Sequence, residues 1–170
     1  MYQDAYAECN VKRETPAVFK ILTYVMIALC VITLIAGLVV FPLLIAFLIL
    51  LAMTYYFMLN SNLEYEYLYV SGEIDFDVIK WQRSRKRILE VNMDAVTVIA
   101  PEENDVLKGY MGRNLKAIDY SSGTDAKKYV IVYKDSGKND EVLIYFEPDG
   151  EFIDILKSAA PNKVHVNDYN

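Results

Sequence analysis

A charge-free run constrains the fold of this chain more than any other feature of its sequence. No Asp, Glu, Lys or Arg occurs in the 43 residues between Lys20 and Glu64. About a quarter of the residues in an ordinary globular protein are charged, so a soluble fold would not contain such a gap by chance. A helix that crosses the ~30 Å core of a bilayer needs about 20 apolar residues. The run is therefore long enough for two membrane-spanning helices.

Gly37 and Pro42 are the expected break within the run. Glycine is a poor residue for a helix interior, and Pro42 disfavours the helical conformation at Phe41 while suiting the first turn of a new helix. The competing interpretation of this region is a cleavable signal peptide over residues 12–37, but a second long apolar segment follows it. The expected segments are an N-terminal segment at 1–16, a transmembrane hairpin at 17–60 with helices at about 17–39 and 43–60, a β-rich domain at 63–161 and a C-terminal tail at 162–170.

Basic residues indicate the orientation of this hairpin. Lys12, Arg13 and Lys20 precede the first helix, more basic residues follow the second at 80–87, and the turn between the helices has none. Lys and Arg near the ends of membrane helices favour the cytoplasmic side. We therefore expect a multi-pass protein of the cell membrane with both termini and the β-rich domain in the cytoplasm.

The hydrophobic period changes to two directly after the run. Apolar residues alternate with acidic ones on both sides of Ser71-Gly72, which predicts two antiparallel strands joined by a two-residue turn. One face of this strand pair is apolar, and we expect it to face the core. That face carries Tyr65, Tyr67, Tyr69, Ile74, Phe76 and Val78, whereas the opposite face carries Glu64, Glu66, Asp75 and Asp77.

Further strand patterns and one terminal helix complete the predicted domain. The helix is expected from about Asp149, a good N-cap residue, to Ala160, with Phe152, Ile155, Leu156 and Ala159 on its apolar face. Strands followed by a closing amphipathic helix are typical of a pleckstrin-homology (PH)-like barrel. The predicted fold class is a membrane α-helical hairpin plus a mainly-β soluble domain, a PH-like barrel or roll of about seven strands with a C-terminal helix.

Charge and cysteine content exclude several classes of function. The net charge of −6 belongs entirely to the region after residue 60, and an acidic domain is unsuited to neutralising the phosphates of a nucleic acid. Cys9 and Cys30 are the only cysteines, too few for a disulfide framework or a four-ligand zinc site. We expect no cofactor and no metal.

Three segments of the chain resemble an uncharacterised family of small bacterial membrane proteins. These segments are Glu64–Ile79, Arg85–Arg87 and Asp119–Gly123. The resemblance covers nearly the whole chain and implies a two-helix hairpin followed by a C-terminal PH-like domain. In addition, Arg85–Ile99 is similar to the strand–bend–strand segment of bacterial PH-like domains. The resemblance implies location and fold and carries no catalytic residue.

A basic cluster after the first predicted hairpin is the main candidate for a binding site for lipid or a partner. It comprises Lys80, Trp81, Arg83, Arg85, Lys86 and Arg87. Basic residues near a membrane surface attract anionic headgroups, each contributing about 1 kcal/mol. Alternatively, a third strand would bring Lys86 or its neighbours across to Asp75 and Asp77, and the cluster would neutralise the acidic side chains. Trp81 suits either an interfacial anchor or a partly buried position in the barrel.

Other candidate sites favour structural interpretations. The acidic side chains of the hairpin could bind Ca²⁺, but no calcium-loop pattern accompanies them. His165 lies in the tail without an orienting partner, and Ser121-Ser122-Gly123 is typical of a turn. Gly109 and Gly112 lack the spacing of a phosphate-binding loop. We therefore expect a chain that is not an enzyme.

The sequence predicts a non-catalytic, membrane-anchored interaction or scaffold module. Its expected partners are the lipid bilayer and another protein, with no nucleic acid. Two alternatives remain open at this point. One is a PH-like domain that binds anionic lipid headgroups, and the other is an accessory subunit of a membrane transporter or enzyme.

Overall fold

The computed structural model describes residues 5–61, 63–80, 84–135 and 140–166. The chain divides into a helical unit, Glu14–Leu63, and a β-rich unit formed by Met1–Arg13 together with Glu64–Asn170. The helical unit contains α1 (Ala17–Val39) and α2 (Leu43–Ser61). The β-rich unit contains β1 (Tyr6–Lys12), β2 (Leu63–Val70), β3 (Glu73–Lys80), β4 (Ser84–Asn92), β5 (Val96–Pro101), α3 (Lys108–Met111), β6 (Lys116–Asp119), β7 (Tyr129–Lys134), β8 (Glu141–Phe146) and α4 (Gly150–Ala159).

Small side chains allow α1 and α2 to pack closely. Cys30 and Gly37 are the buried residues of α1, and the Cys30 Sγ lies 3.6 Å from the Thr54 Oγ1 of α2. A Cβ on Gly37 would lie 2.7 Å from the Leu44 Cδ2. Gly37 is therefore a contact residue inside α1 and not part of the break, which is confined to residues 40–42.

The helices differ in how well they meet the requirements for crossing a membrane. By length and composition, α1 is the one helix among the described residues that could span a bilayer. The apolar part of α2 with described side chains, Leu43–Met58, is shorter. The two-span hairpin therefore stays a prediction.

The β-rich unit contains two four-stranded sheets. The strand order is β1-β2-β3-β4 in the first sheet and β5-β7-β8-β6 in the second, where β6 runs parallel to β8. The prediction of a barrel of about seven strands is therefore corrected: the described residues form eight strands in two sheets and no closed barrel. The chain changes sheets at a short 3-10 helix, Met93–Ala95, which separates β4 from β5.

The additional strand comes from the N-terminal segment. Residues 1–16 are predicted to lie outside the β-rich domain, whereas β1 pairs antiparallel with β2 from Tyr6 opposite Val70 to Lys12 opposite Glu64. Ala7 and Cys9 of β1 are buried. The strand pairs because its inward side chains are small and apolar while the residues between them are polar.

The β2–β3 turn follows the sequence pattern. Ser71 and Gly72 have positive φ angles of 49° and 97°. Positive φ at both central residues is the geometry of a type I′ turn, whose twist matches that of a two-stranded hairpin. All six apolar side chains predicted to face the core are buried.

An aromatic cluster lies in the core of the β-rich unit. The Tyr67 ring centroid lies 5.4 Å from that of Phe76 and 5.6 Å from that of Phe146. Phe152 of α4 joins the cluster, and the Asp149 Oδ1 caps this helix by accepting a hydrogen bond of 2.8 Å from the Phe152 N–H. The helix buries Phe152 and Leu156 as predicted and Ile153 in addition, while Ile155 and Ala159 of the predicted apolar face are half-buried.

Part of the predicted C-terminal tail belongs to the fold. Val164 forms a parallel β-bridge with Ile99 of β5, and the His165 N–H donates to the Ile99 carbonyl at 2.8 Å. The Lys163 Nζ donates to the Met93 carbonyl at 2.6 Å. These contacts cover the β5 edge at Ile99 with the chain's own C-terminal segment.

The hydroxyl of Tyr67 supplies a test of the core. It donates to the Tyr120 carbonyl at 2.6 Å and accepts from the Glu147 N–H at 3.4 Å. Tyr67→Phe leaves both partly buried backbone groups without this partner, so we expect a loss of about 1–3 kcal/mol in the free energy of unfolding. Denaturant titration of the full chain in detergent micelles measures it.

Tyr69→Phe is the matched control for this prediction. Tyr69 is equally buried, but its hydroxyl only approaches the Gly72 backbone N–H and forms no hydrogen bond with the described residues. We expect its removal to leave stability unchanged or slightly higher. Equal losses in the two variants would contradict the role assigned to the Tyr67 hydroxyl.

Candidate functional site

The outer side of the first sheet brings acidic side chains from all four strands onto one surface. Asn10 pairs with Glu66 across β1 and β2, and Asp75 pairs with Glu90 across β3 and β4. Paired residues point to the same side of a sheet. We call this surface the acidic face, and its carboxylates are Glu8, Glu64, Glu66, Glu73, Asp75, Asp77 and Glu90.

Three carboxylates of the acidic face are buried. Glu66, Asp75 and Asp77 are 5%, 8% and 4% exposed. Acidic side chains are almost never this buried without a partner, because an unpaired charge loses its hydration. The acidic face therefore requires basic groups close to it.

Arg85 and Arg87 of β4 supply these groups. The Arg85 Nε lies 2.6 Å from the Asp77 Oδ2 and 2.9 Å from the Glu66 Oε2. Arg87 pairs with Asp75 and also with Glu90, whose Oε2 lies 2.9 Å from the Arg87 Nη1. Both arginine side chains remain about half exposed.

The two guanidinium groups do not satisfy all of the buried carboxylate oxygens. The single hydrogen on the Arg85 Nε forms its hydrogen bond with the Asp77 Oδ2, so the nearby Glu66 Oε2 has the charge contact without the hydrogen bond. The Asp75 Oδ1 and the Asp77 Oδ1 also lack hydrogen-bond partners among the described residues. Among the described residues, the acidic face is therefore short of hydrogen-bond donors.

Burial also changes the pKa values of the ionisable groups on the acidic face. Burial raises the pKa of Glu66 above its usual value, Arg85 opposes the shift, and the neighbouring Glu8 adds to it. Burial likewise raises the pKa of Asp75 against the opposing effect of Arg87. The hydrogen bond that the Arg85 guanidinium donates to Asp77 raises the pKa of Arg85. The pairing therefore offsets only part of the cost of burial.

A bulge in β4 aligns Arg85 and Arg87, which this strand carries, with the acidic face. Phe76 pairs with Leu89 and Asp77 with Arg87, which leaves Ile88 as the extra residue on β4. This extra residue lets Arg85 and Arg87 point toward the acidic face while Leu89 lies opposite Phe76 on the other side of the sheet.

The predicted basic cluster is thus divided by the structure. Arg85 and Arg87 pair with the acidic side chains, as one of the two hypotheses expects. Lys86 lies between them, is exposed and forms no ion pair with the described residues. Lys80 is the last residue of β3. Trp81 and Arg83 lie outside the described residues, so their predicted roles stay open.

The serine and histidine candidates occupy structural positions. The Ser122 Oγ donates to the Glu147 Oε1 at 2.9 Å and accepts from the Thr124 N–H at 3.1 Å, so its hydroxyl holds the turn after β6. The Ser121 N–H donates to the Asp119 Oδ1 at 2.8 Å in the same turn. The backbone of His165 pairs with β5, and the described residues contain no group of His, Cys, Asp and Glu arranged to hold a metal ion.

Glu8 is a residue of the acidic face that the sequence analysis missed. It lies on β1, where it accepts hydrogen bonds from the Tyr6 hydroxyl and from the Asn10 Nδ2, and the Tyr6 bond lowers the pKa of its carboxyl. The signal was present in the sequence, because Ala7, Cys9 and Val11 alternate with polar residues as in a half-buried strand.

Replacing Arg85 tests whether the basic strand neutralises the buried carboxylates. Arg85→Met leaves Glu66 and Asp77 without their main partner. Breaking a fully buried pair costs about 3–5 kcal/mol, and because Arg85 is half exposed we expect a loss of about 2 kcal/mol in the free energy of unfolding at neutral pH. Denaturant titration of the full chain in detergent micelles measures it.

Two further variants complete this test. Lys86→Met removes an exposed positive charge from the same strand and should change stability little. Adding Glu66→Gln and Asp77→Asn to Arg85→Met should restore much of the loss, because the buried charges are then absent. Equal effects of Arg85→Met and Lys86→Met would show that the pairing is not structural.

The raised pKa of Asp75 predicts a dependence of stability on pH. Below the ordinary value of 3.8 the carboxyl is protonated in the folded and unfolded chains alike. As the pH rises through the higher pKa of the folded chain, a buried group must ionise and stability is lost. Relative to wild type, Asp75→Asn should therefore gain stability as the pH rises above about 4. Parallel stability–pH curves for the two proteins would contradict this.

The comparison with known protein families agrees with the two-sheet fold and its terminal helix. The family model of the bacterial PH-like domain DUF6106 matches residues 3–166. No curated protein and no solved structure matches the chain. The matched range begins before β1 and reaches the segment that pairs with β5, so it includes both units. The chain belongs to the bacterial PH-like domain family DUF6106.

Proposed function

We propose that this PH-like protein is a non-catalytic module that α1 and α2 anchor in the cell membrane and that binds another protein. The observation that carries the proposal is the pairing of β1 with β2, because one strand precedes α1 and the other follows α2. Strands of one sheet lie on the same side of a membrane. The helices between them therefore cross the bilayer an even number of times if they cross it at all.

The surface of the helical unit supports two crossings. Large apolar side chains are exposed along both helices, and Leu38, Val39 and Phe41 near the turn are more than three-quarters exposed. Water is an unfavourable environment for such a surface, whereas lipid is not. With 19 residues, α2 has a length of about 28 Å, close to the thickness of the bilayer core.

The distribution of basic residues supports a cytoplasmic position for the β-rich unit. Lys12 and Arg13 precede α1, Lys20 lies in its first turn, and no charged residue occurs in the turn at residues 40–42. Basic residues at this end favour retention in the cytoplasm.

The acidic face favours a protein partner over anionic lipid. Arg85 and Arg87, the centre of the predicted basic cluster, already pair with buried carboxylates. Their release for headgroups would leave Glu66, Asp75 and Asp77 buried without partners. Lipid-headgroup binding remains the second candidate, because Lys86 and half of each arginine side chain are exposed.

Catalysis has no evident centre in the described residues. The Ser122 hydroxyl is engaged with Glu147 in a turn, and the one histidine, His165, follows the strand-like pairing at Ile99. These positions support a binding function over an enzymatic one.

Labelling of single cysteines in intact cells tests the anchor. In a Cys9→Ala, Cys30→Ala background, Phe41→Cys places a thiol in the turn and Ser158→Cys places one on exposed α4. A membrane-impermeant maleimide should label Phe41→Cys in intact cells and Ser158→Cys only after permeabilisation. Labelling of both sites, or of Ser158→Cys alone, in intact cells would contradict the topology.

Hydrogen exchange separates the two candidate partners. The full chain is placed in nanodiscs of phosphatidylcholine alone or with phosphatidylglycerol, and amide exchange is followed across β4. We expect the same protection in both lipids, because Arg85 and Arg87 stay paired. Protection of β4 by phosphatidylglycerol that Lys86→Met abolishes would instead support headgroup binding.

A further inference from the structure

An exposed apolar pair lies beside the acidic face. Outside the helical unit, the exposed large hydrophobic side chains among the described residues are Tyr6, Val70 and Val106. Tyr6 and Val70 pair across β1 and β2, so both point to the side of the sheet that carries Glu8 and Glu66. A carboxylate surface therefore borders an exposed apolar pair of residues.

The charge of this side of the sheet is unbalanced. Among the described residues its carboxylates outnumber the basic side chains on the same side, Lys12, Arg85 and Arg87, and three buried oxygens, on Glu66, Asp75 and Asp77, have no hydrogen-bond donor there. Buried acceptors without partners are rare in folded proteins. Within the described part of the chain, this surface has too few positively charged hydrogen-bond donors. A ligand of the surface would supply such donors.

We propose that the acidic face, together with Tyr6 and Val70, docks a basic segment of a partner protein that also carries an apolar side chain. This inference rests on the proposed function as a protein-binding module and specifies the chemistry of the partner. Arginine or lysine of the partner meets the exposed Glu8, Glu73 and Glu90, while its apolar side chain packs on Tyr6.

Docking at Glu90 also makes a hydrogen-bond donor available to the buried carboxylates. Glu90 now takes the Arg87 Nη1 hydrogen bond at 2.9 Å, although the Asp77 Oδ1 lies 3.7 Å from the Arg87 Nε without a hydrogen bond. A cationic side chain of the partner then takes the place of Arg87 at Glu90. The Arg87 guanidinium is left free to donate hydrogen bonds to Asp75 and Asp77. The partner thus adds a donor at the exposed rim and completes the hydrogen bonds of the buried centre.

The same observations disfavour other occupants. An anionic membrane surface repels a face on which carboxylates are in excess. A metal ion would have to displace Arg85 and Arg87, and the described residues contain no suitable group of ligands. A basic polypeptide satisfies both the charge and the exposed apolar pair.

The test measures binding of a fluorescent peptide to the full chain in phosphatidylcholine nanodiscs. The probe is Arg-Ser-Arg-Leu-Ser-Arg-Ser-Arg, compared with the same peptide carrying glutamine in place of arginine, and empty nanodiscs give the background. We expect the arginine peptide alone to bind, with an affinity that falls as salt rises. Glu8→Gln with Glu73→Gln should weaken binding about fivefold, and Tyr6→Ser should weaken it at high salt as well.

A matched double variant separates docking from attraction by net charge. Glu102→Gln with Glu103→Gln removes the same charge from exposed positions after β5 and should change affinity less than twofold. Equal weakening by the two double variants, or no binding above empty nanodiscs, would overturn the proposal. Cysteine labelling of the anchor is independent of peptide binding, so failure of this test and failure of the membrane anchor are distinguishable.

Discussion

The pairing of β1 with β2 is the constraint on which the rest of the structure depends. It joins a segment before the helices to a segment after them, so the β-rich unit is complete only when the chain has passed through α1 and α2 and returned. The same pairing places Lys12, which precedes the helices, opposite Glu64, which follows them. A fragment that begins at residue 63 lacks one edge of the first sheet, which is why the experiments use the full chain.

Electrostatics on the first sheet follow from the order of its strands. β2 and β3 alone would place carboxylates opposite one another, and such like-charge pairs destabilise a sheet. β4 adds Arg85 and Arg87 beside them, and the bulge at Ile88 keeps these arginines aligned with the acids. Because two guanidinium groups pair with three buried carboxylates, the face is held together, yet among the residues that the structure describes it remains short of hydrogen-bond donors. This imbalance connects the stability of the sheet to the proposed recognition of a basic partner.

Much of the β-rich unit could be predicted from local pattern. The alternation around Ser71-Gly72 predicted the turn and the buried side of β2 and β3, and Asp149 marked the start of α4. The candidate site could be predicted only in part. Strand alternation brings Arg85 and Arg87 to one side, but which of the basic residues reach the acids depends on the register of β4, and a bulge sets that register.

The sequence by itself determined the charge-free run, the strand and helix periods and the acidity of the hairpin, because each depends on neighbours within a few residues. Tertiary structure alone decided that β1 completes the first sheet, that the described strands form two sheets in place of a barrel, and that Gly37 packs on Leu44. It also decided that the basic strand neutralises buried carboxylates. These features depend on contacts between residues far apart in the chain, and no local period encodes such contacts.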